Sequence, residues 1–394
     1  GEYTMATKTK TRTKTAGRTP AKGSTGRVNA DDARIDQLKE LMRSTAQDLD
    51  FERVRIMHEM YGESAGDVQI LRRAKFLAAV LDRKTLYIDD NLFVGAMGGK
   101  LNAVYTYPEW QVDWMIDEKT VENSPTPEDK AANAWALEYW GQRGMKSRTE
   151  AIFEKRFGYD PKPCYNAGLI AAFHDWPAGG GNLNYPRVYR EGLSSMIKEV
   201  EERQMALEMR LPNASKFYFY EASLIVMRAS IRYAQRYAEL AREMAAKEKD
   251  ESRKVELISL AETCEWVPEH PARNLREAIQ CHFLCHIIAE LEQVGCGYSQ
   301  AYLGQNLEPF YQADKVAGLI SYDDAVFMLK NLFIKLNEIN YYYGERIAKA
   351  NSADLGQSIT LAGYSEAGGD ATAEMDYAVL DASDYLALPQ PPLT

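Results

Sequence analysis

One stretch of the sequence, Ala278 to Leu291, constrains the fold more than any other, because it is apolar along most of its length. Its polar side chains are Gln280, His282, His286 and Glu290. The last three recur every fourth residue, so in a helix they lie along one narrow stripe of an otherwise apolar cylinder. A helix of this kind is buried inside a large domain. The sequence therefore predicts a long central helix around which the chain is packed.

The polar stripe on this helix has two interpretations. Histidines four residues apart can converge on one metal ion, with Glu290 as a further ligand. Alternatively, the stripe is a polar seam that hydrogen-bonds a neighbouring helix. We favour the seam, because the glutamate of an HEXXH motif is absent and no second ligand cluster accompanies the histidines. Cys281 and Cys285, on an adjacent face, are interpreted as small buried apolar side chains.

Apolar periodicity predicts helices through most of the chain, with short apolar runs that predict strands between them. The predicted helices cover residues 30–61, 68–83, 189–211, 217–247, 251–266, 320–345 and 372–385, and the strand-like runs cover 85–99, 167–173 and 358–364. Ser321, followed three residues later by Asp324, is typical of a helix start with a capping box. Helices that alternate with short strands indicate a helix-rich α/β fold.

The length of 394 residues allows two or three domains or one large barrel. The sequence has no run of eighteen apolar residues that could cross a membrane, and its N-terminus shows no apolar region of a signal peptide. Five cysteines, an odd number in a large chain, indicate a reduced protein rather than a disulfide scaffold. We therefore predict a cytoplasmic protein with no membrane association.

Charge divides the chain into a basic N-terminal tail and an acidic body. Residues 1–30 carry seven Lys or Arg against one Glu, a net charge of +6, which leaves −16 for the remainder of a chain whose total is −10. The tail is poor in apolar residues, so we predict that residues 1–30 are disordered and residues 31–394 form the folded part. An acidic body does not suggest nucleic-acid binding.

Residue chemistry alone identifies no complete active site. Cys296 lies in a glycine-flanked turn, but no basic residue adjoins it to activate the thiol. His174 and Asp175 precede a glycine-rich loop, where they form either an acid–base pair or the cap of a strand. The glycines at 179–181 lack the Lys-Ser/Thr of a phosphate loop, and no GxSxG motif of a serine hydrolase occurs. Two polar loops remain of interest, one near His174 and one near Ser299.

Six segments, spread from about residue 50 to residue 394, form a pattern that no single segment shows. They are RRAKFLAAVLDRKTLYIDDNLFVG (72–95), YPE (107–109), PARNLREAIQ (271–280), LEPFYQAD with GLIS (307–321), QSITLAGYSEAGGDATAEMDYAVLDAS (357–383) and LPQPPLT (388–394). Taken in this order, they resemble the N-terminal half of a glycyl radical enzyme of the pyruvate formate-lyase-like family.

This resemblance implies a fold and a chemistry that spacing and periodicity do not show. Enzymes of the family fold as a ten-stranded barrel, made of two five-stranded halves and wrapped by helices, so this chain would supply one half. An activating partner with an iron–sulfur cluster and S-adenosylmethionine installs a radical on a C-terminal glycine. That radical generates a thiyl radical on a loop cysteine, which attacks a small-molecule substrate. A homodimer or a C-terminal partner chain is also implied.

The resemblance also places the site residues. The catalytic cysteine and the glycine segment would lie beyond Thr394, so no catalytic residue is expected within this chain. Ser299 matches a serine that lines the substrate pocket in dehydratases and decarboxylases, and Gln305 matches as well. The predicted substrate-binding residues are Ser299, Gln305, His174, Asn182 and Tyr185.

One departure from the family pattern bears on the reaction. The dehydratases place a histidine shortly before the tyrosine that aligns with Tyr185, and here Gly180 stands at the matching position. The missing base counts against dehydration. The first hypothesis is therefore a radical lyase, decarboxylase-like, that cleaves a C–C bond in a small carboxylate-bearing substrate. The alternatives are radical addition to fumarate, a radical dehydratase or C–N lyase, and a non-catalytic half-domain completed by a partner chain.

Overall fold

A computed structural model describes residues 25–110, 116–161, 163–164, 167, 181–293, 298–340, 356–365 and 367–394. Helices dominate this part of the chain. They are α1 (Thr25–Ser44), α2 (Glu52–Glu63), α3 (Gln69–Arg83), α4 (Glu118–Glu122), α5 (Pro127–Arg143), α6 (Met145–Phe157), α7 (Tyr185–Met205), α8 (Ala214–Lys247), α9 (Glu251–Trp266), α10 (Leu275–Glu292), α11 (Leu303–Val316), α12 (Tyr322–Asn337) and α13 (Glu374–Leu386). Two short strands, β1 (Asp48–Asp50) and β2 (Ala103–Tyr105), pair in parallel.

The predicted central helix is α10, and the structure confirms that it is buried. Fourteen of its eighteen residues are buried, and the helix contacts α3, α7, α8, α9, α11 and α12. It begins at Leu275 because the Asn274 side chain accepts a hydrogen bond from the Glu277 N–H, at 2.9 Å. A hydrogen bond with Cys285, together with burial, raises the pKa of Cys281 well above its usual value, as expected for an inert thiol.

The predicted helix over residues 30–61 is wrong in its middle, where the structure has a break and a strand. Helix α1 ends at Ser44 and α2 begins at Glu52, with β1 between them. The Asn102 side chain donates to the carbonyl oxygens of Met42 and Thr45, at 2.7 Å each, and so satisfies the end of α1. The chain beyond that end is then extended and pairs with β2.

The strand-like run at 85–99 is not a strand in the structure, because side chains of two helices take the place of a neighbouring strand. Gln280 on α10 accepts from the Val94 N–H at 2.9 Å and donates to the Val94 carbonyl at 2.8 Å. Asn331 on α12 accepts from the Leu92 N–H at 3.2 Å. The backbone polar groups are therefore paired without a sheet ladder. This also explains why Gln280 lies in an otherwise apolar helix.

Four extended segments lie side by side next to α10. They contain Asn182, residues 299–301, residues 358–361 and residues 392–394, and single-residue parallel bridges join them in that order. Backbone hydrogen bonds connect Gln300 to Ser358 at 2.8 Å, and Ile359 to Pro392 at 2.9 Å. The strand predicted at 358–364 is therefore present as a shorter extended segment. The arrangement agrees with the predicted α/β fold, in which short parallel strands are wrapped by helices.

Several other predictions can be compared with the structure. Helix α9 has the predicted bounds, and the capping box of Ser321 and Asp324 is confirmed at the start of α12. Helix α1 begins at Thr25, five residues before the predicted end of the tail at residue 30. Disorder of residues 1–24 stays a prediction, since they lie outside the described residues. The apolar run at 167–173 also falls outside them, apart from residue 167. None of the helices described is long and apolar enough to cross a membrane.

Candidate functional site

Ser299 lies in the second extended segment, where the surrounding backbone fixes its hydroxyl. Its Oγ donates to the Ser358 carbonyl oxygen at 2.8 Å and accepts from the Ala301 N–H at 3.0 Å. The Ser299 N–H donates to the Gly181 carbonyl at 3.2 Å, which joins the first two segments. The Oγ atoms of Ser299 and Ser358 are 3.4 Å apart. Two serines that are 59 residues apart in the sequence therefore lie side by side.

Polar side chains from all four segments occupy one face of the arrangement. Successive residues of an extended segment point to opposite faces, so Ser358 and Thr360 share a face. The Oγ1 atoms of Thr360 and Thr394 are 3.2 Å apart, and Asn182 is bridged to Ser299. We call Asn182, Ser299, Ser358, Thr360 and Thr394 the polar row. Each of its members is half-buried or exposed, so the row is open to a ligand.

The opposite face of the segments packs on α10 through two tyrosine–histidine–glutamine series. In the first, Tyr185 OH is 3.0 Å from His286 Nδ1, and His286 Nε2 is 2.8 Å from Gln357 Oε1. In the second, Tyr189 OH is 3.5 Å from His282 Nδ1, and His282 Nε2 is 2.6 Å from Gln300 Oε1. Both nitrogens of each imidazole therefore face protein partners. The structure confirms the polar seam, with tyrosines of α7 as the partners on a neighbouring helix.

Burial sets the protonation state of both histidines. Burial lowers the pKa of His282 to about 4. The hydrogen bond with Gln300 acts in the opposite direction but is the smaller effect. Burial lowers the pKa of His286 to about 3, with the bond to Gln357 acting in the opposite direction. Neutral rings fit the contacts if each Nε2 donates to a glutamine oxygen and each Nδ1 accepts from a tyrosine. Among the described residues, no group of three or more His, Cys, Asp or Glu could hold a metal ion.

The ends of two segments carry left-handed residues that are not glycine. Ala301 has φ of 52° and Ala362 has φ of 54°, a conformation that costs an alanine about 1–2 kcal/mol. The Gln305 Nε2 donates to the Ala362 carbonyl and so ties the start of α11 to the loop after the third segment. Strained residues persist only where their surroundings hold them, and they cluster at functional sites.

A buried charge cluster holds the end of α10, just before the chain leads to Ser299. Arg53 is fully buried and pairs with Glu109, with Nη2 2.5 Å from Oε1, while its Nε donates to the Leu291 carbonyl at 3.2 Å. Arg73 pairs with the same carboxylate at 2.9 Å and donates to the Glu292 carbonyl at 2.5 Å. Burial alone would raise the pKa of Glu109, but the two guanidinium groups hold it below its usual range. The last carbonyls of α10 are thereby satisfied.

The predicted substrate-binding residues fall in different places. Ser299 and Asn182 lie together in the polar row. Gln305 lies at the adjacent helix start, with its amide bonded to backbone. Tyr185 is buried beneath the segments, where its hydroxyl faces His286. His174 lies outside the described residues, as does Cys296.

Sequence reasoning missed three members of the polar row and the two glutamines beneath it. A signal for Ser358 and Thr360 was present in the alternation of Gln-Ser-Ile-Thr at 357–360, which has the period of two typical of a strand. Thr394 and Gln300 had no such signal, because their roles depend on contacts with distant segments.

Comparisons with known proteins agree on one family. A family model described as pyruvate formate lyase-like matches residues 25–394. The isethionate sulfite-lyase of Nitratidesulfovibrio vulgaris is 30% identical over 396 residues, which cover 94% of this chain and 47% of that protein. The indoleacetate decarboxylase of Tractidigestivibacter scatoligenes is 30% identical over 268 residues, 66% of this chain and 30% of that protein.

A solved structure shows the same fold. The glycerol-bound form of the B12-independent glycerol dehydratase from Clostridium butyricum matches with a TM-score of 0.82 and 27% identity. The match covers 92% of this chain and 47% of that one. The chain therefore spans just under half the length of the sulfite-lyase and of the dehydratase.

Proposed function

The chain belongs to the pyruvate formate lyase-like family, and on that basis we propose that it is the N-terminal portion of a glycyl radical lyase. The observation that carries the proposal is the polar row, a set of hydroxyl and amide groups that four parallel segments present on one face. Groups held on rigid extended segments and supported from behind are suited to orienting a small substrate.

The proposed chemistry divides between this chain and the segments that bear the radical. A glycyl radical and its partner cysteine, both outside this chain, supply the hydrogen-atom abstraction that starts the reaction. The residues of this chain bind and orient the substrate through the polar row, in which Ser299 is next to Asn182. The buried histidines beneath it hold the segments in place through their hydrogen bonds to Gln300 and Gln357.

We favour elimination of a C–O or C–S bond from a hydroxylated small molecule over decarboxylation. The similar proteins include an isethionate sulfite-lyase and a glycerol dehydratase, whose named substrates both carry a hydroxyl group. The sequence alone favoured decarboxylation because Gly180 replaces a histidine of the dehydratases. A C–S lyase is compatible with that replacement, since a sulfite leaving group needs less help from an acid than hydroxide does.

Decarboxylation is the second candidate. It is supported by the similarity to the indoleacetate decarboxylase, which extends over 66% of this chain. The proposal also includes a radical S-adenosylmethionine activating enzyme as partner, a cytoplasmic location, and either a homodimer or a C-terminal partner chain. Radical addition to fumarate and a non-catalytic half-domain are further alternatives. The experiment described next distinguishes them from the first two.

The test is product analysis after anaerobic activation of the complete assembly, meaning this chain with whatever polypeptide supplies the cysteine loop and the glycine segment. Four probes are compared: isethionate, glycerol, indoleacetate, and toluene with fumarate. We expect sulfite from isethionate or an aldehyde from glycerol. Carbon dioxide from indoleacetate alone would favour the second candidate, and turnover only with fumarate would overturn both. No product from any probe would favour the non-catalytic half-domain.

A further inference from the structure

Ser299 and Ser358 form a pair in the polar row, and they differ in which hydrogen-bonding positions of their hydroxyls are already used. A serine hydroxyl offers one donor and two acceptor positions. The donor of Ser299 is used by the Ser358 carbonyl at 2.8 Å, and one acceptor position is used by the Ala301 N–H at 3.0 Å. Ser299 therefore cannot donate to a substrate without breaking its bond to the backbone. It can still accept one hydrogen bond.

Ser358 can donate the hydrogen bond that Ser299 cannot. Its hydroxyl contacts Ser299 Oγ at 3.4 Å, which is longer than the 2.5–3.0 Å of a good O–H···O hydrogen bond. The proton of Ser358 is thus held weakly and can be redirected at little cost. An oxygen atom placed about 2.8 Å from both Oγ atoms would satisfy each of them. Such an oxygen must donate to Ser299 and accept from Ser358.

We propose that Ser358 is a substrate-binding residue, and that it recognises, together with Ser299, an alcohol hydroxyl of the substrate. A hydroxyl both donates and accepts, whereas a carboxylate or a sulfonate only accepts, so the pair selects an alcohol over an acid group. This inference rests on the proposed function and narrows its substrate class to small molecules with an alcohol near the reacting carbon. Arylacetates, which lack an alcohol, do not fit the pair.

The position of Ser358 in the segment supports this role. Its neighbours Gln357 and Ile359 are fully buried on the side of α10, so the backbone that carries Ser358 is fixed on both sides. Gln357 Nε2 also donates to the Leu336 carbonyl at 3.0 Å. With the backbone held in this way, only the hydroxyl proton of Ser358 has to rotate when a substrate binds.

The experiment measures binding and turnover separately, on the complete assembly. Affinities are measured by calorimetry before activation for isethionate and for its matched partner ethanesulfonate. The second molecule lacks the hydroxyl of the first. Ser358→Ala should weaken binding of a hydroxylated probe about tenfold and leave its matched partner unchanged. Ser358→Thr, which keeps the hydroxyl, should retain most of the affinity, and Ser223→Ala on α8 is the control.

The outcomes distinguish the inference from the proposed function. Equal affinities of wild type and Ser358→Ala, or an equal loss for probes with and without the hydroxyl, would overturn the role of Ser358. Failure of the wild type to bind isethionate would overturn it as well. Binding as expected, but with no product after activation, would instead count against the proposed function. After activation, we expect the Ser358→Ala loss to reside mainly in KM and not in the yield of radical.

Discussion

His286 Nε2 lies 2.8 Å from the amide oxygen of Gln357, and its Nδ1 lies 3.0 Å from the hydroxyl of Tyr185. One imidazole on the central helix therefore joins α7 to the third extended segment. This arrangement requires a neutral ring with its proton on Nε2, because Gln357 presents an oxygen. The same pattern recurs at His282 with Gln300 and Tyr189. The support of the polar row is thus built from hydrogen-bonded tyrosine, histidine and glutamine side chains.

Acid should destabilise the protein through these histidines. Burial lowers their pKa values to about 4 and about 3 from an ordinary value of 6.5, so below pH 6.5 the unfolded chain binds more protons than the folded one. Their contribution is fully present above pH 6.5 and is lost as the pH falls toward 4. We expect a loss of about 3 kcal/mol for each of the two histidines over that range.

The measurement is the free energy of unfolding in urea as a function of pH. His286→Gln should reduce the slope between pH 6.5 and 4, while His270→Gln, on a half-buried surface histidine, should leave it as in the wild type. Equal slopes for all three proteins would contradict the account of the seam.

Loss of the buried guanidinium at Arg53 should be strongly destabilising. Arg53→Met leaves Glu109 buried with one fewer partner and frees the Leu291 carbonyl at the end of α10. We expect a cost of about 3–5 kcal/mol in urea unfolding. Arg83→Met is the matched control, because its pair with Glu59 is exposed and should be worth less than about 1 kcal/mol. Similar costs for the two variants would show that the cluster does not hold the helix end.

The conformation of residues 85–99, and with it the stability of the fold, should depend on Gln280. Its side chain serves both the N–H and the carbonyl of Val94, so Gln280→Leu leaves two buried backbone groups without their partner. The expected cost is about 2–4 kcal/mol by thermal or urea unfolding. Gln312→Leu, at a half-buried position on α11, should cost less than about 1 kcal/mol. Tolerance of Gln280→Leu would mean that the run is held by other contacts.

Local periodicity predicted those elements whose stability depends on burying one face or a whole helix. Helix α9 and the buried α10 are examples, because apolar spacing alone determines them. The break between α1 and α2 was not predictable, since it depends on the Asn102 side chain reaching the end of α1 from a distant loop. A local pattern contains no information about such a partner.

In the candidate site, too, some residues could be predicted from the sequence, whereas others depend on contacts between distant segments. The family resemblance led to Ser299, but the residue beside it, Ser358, lies 59 positions away and becomes a neighbour only through the parallel pairing of two segments. Tyr185 was predicted near the substrate, yet its hydroxyl lies on the buried side because Tyr185 starts a helix packed against α10. Which face of a segment a residue occupies depends on the register of pairing, which the sequence specifies only weakly in short strands.

Electron paramagnetic resonance tests the central claim most directly. The complete assembly containing this chain is incubated anaerobically with its activating enzyme, S-adenosylmethionine and a reductant, and the spectrum is recorded before substrate is added. The account predicts the doublet of a glycyl radical, which should be lost on exposure to oxygen. An assembly that is folded, contains the cysteine loop and the glycine segment, and still gives no doublet would contradict the claim that this chain is part of a glycyl radical lyase.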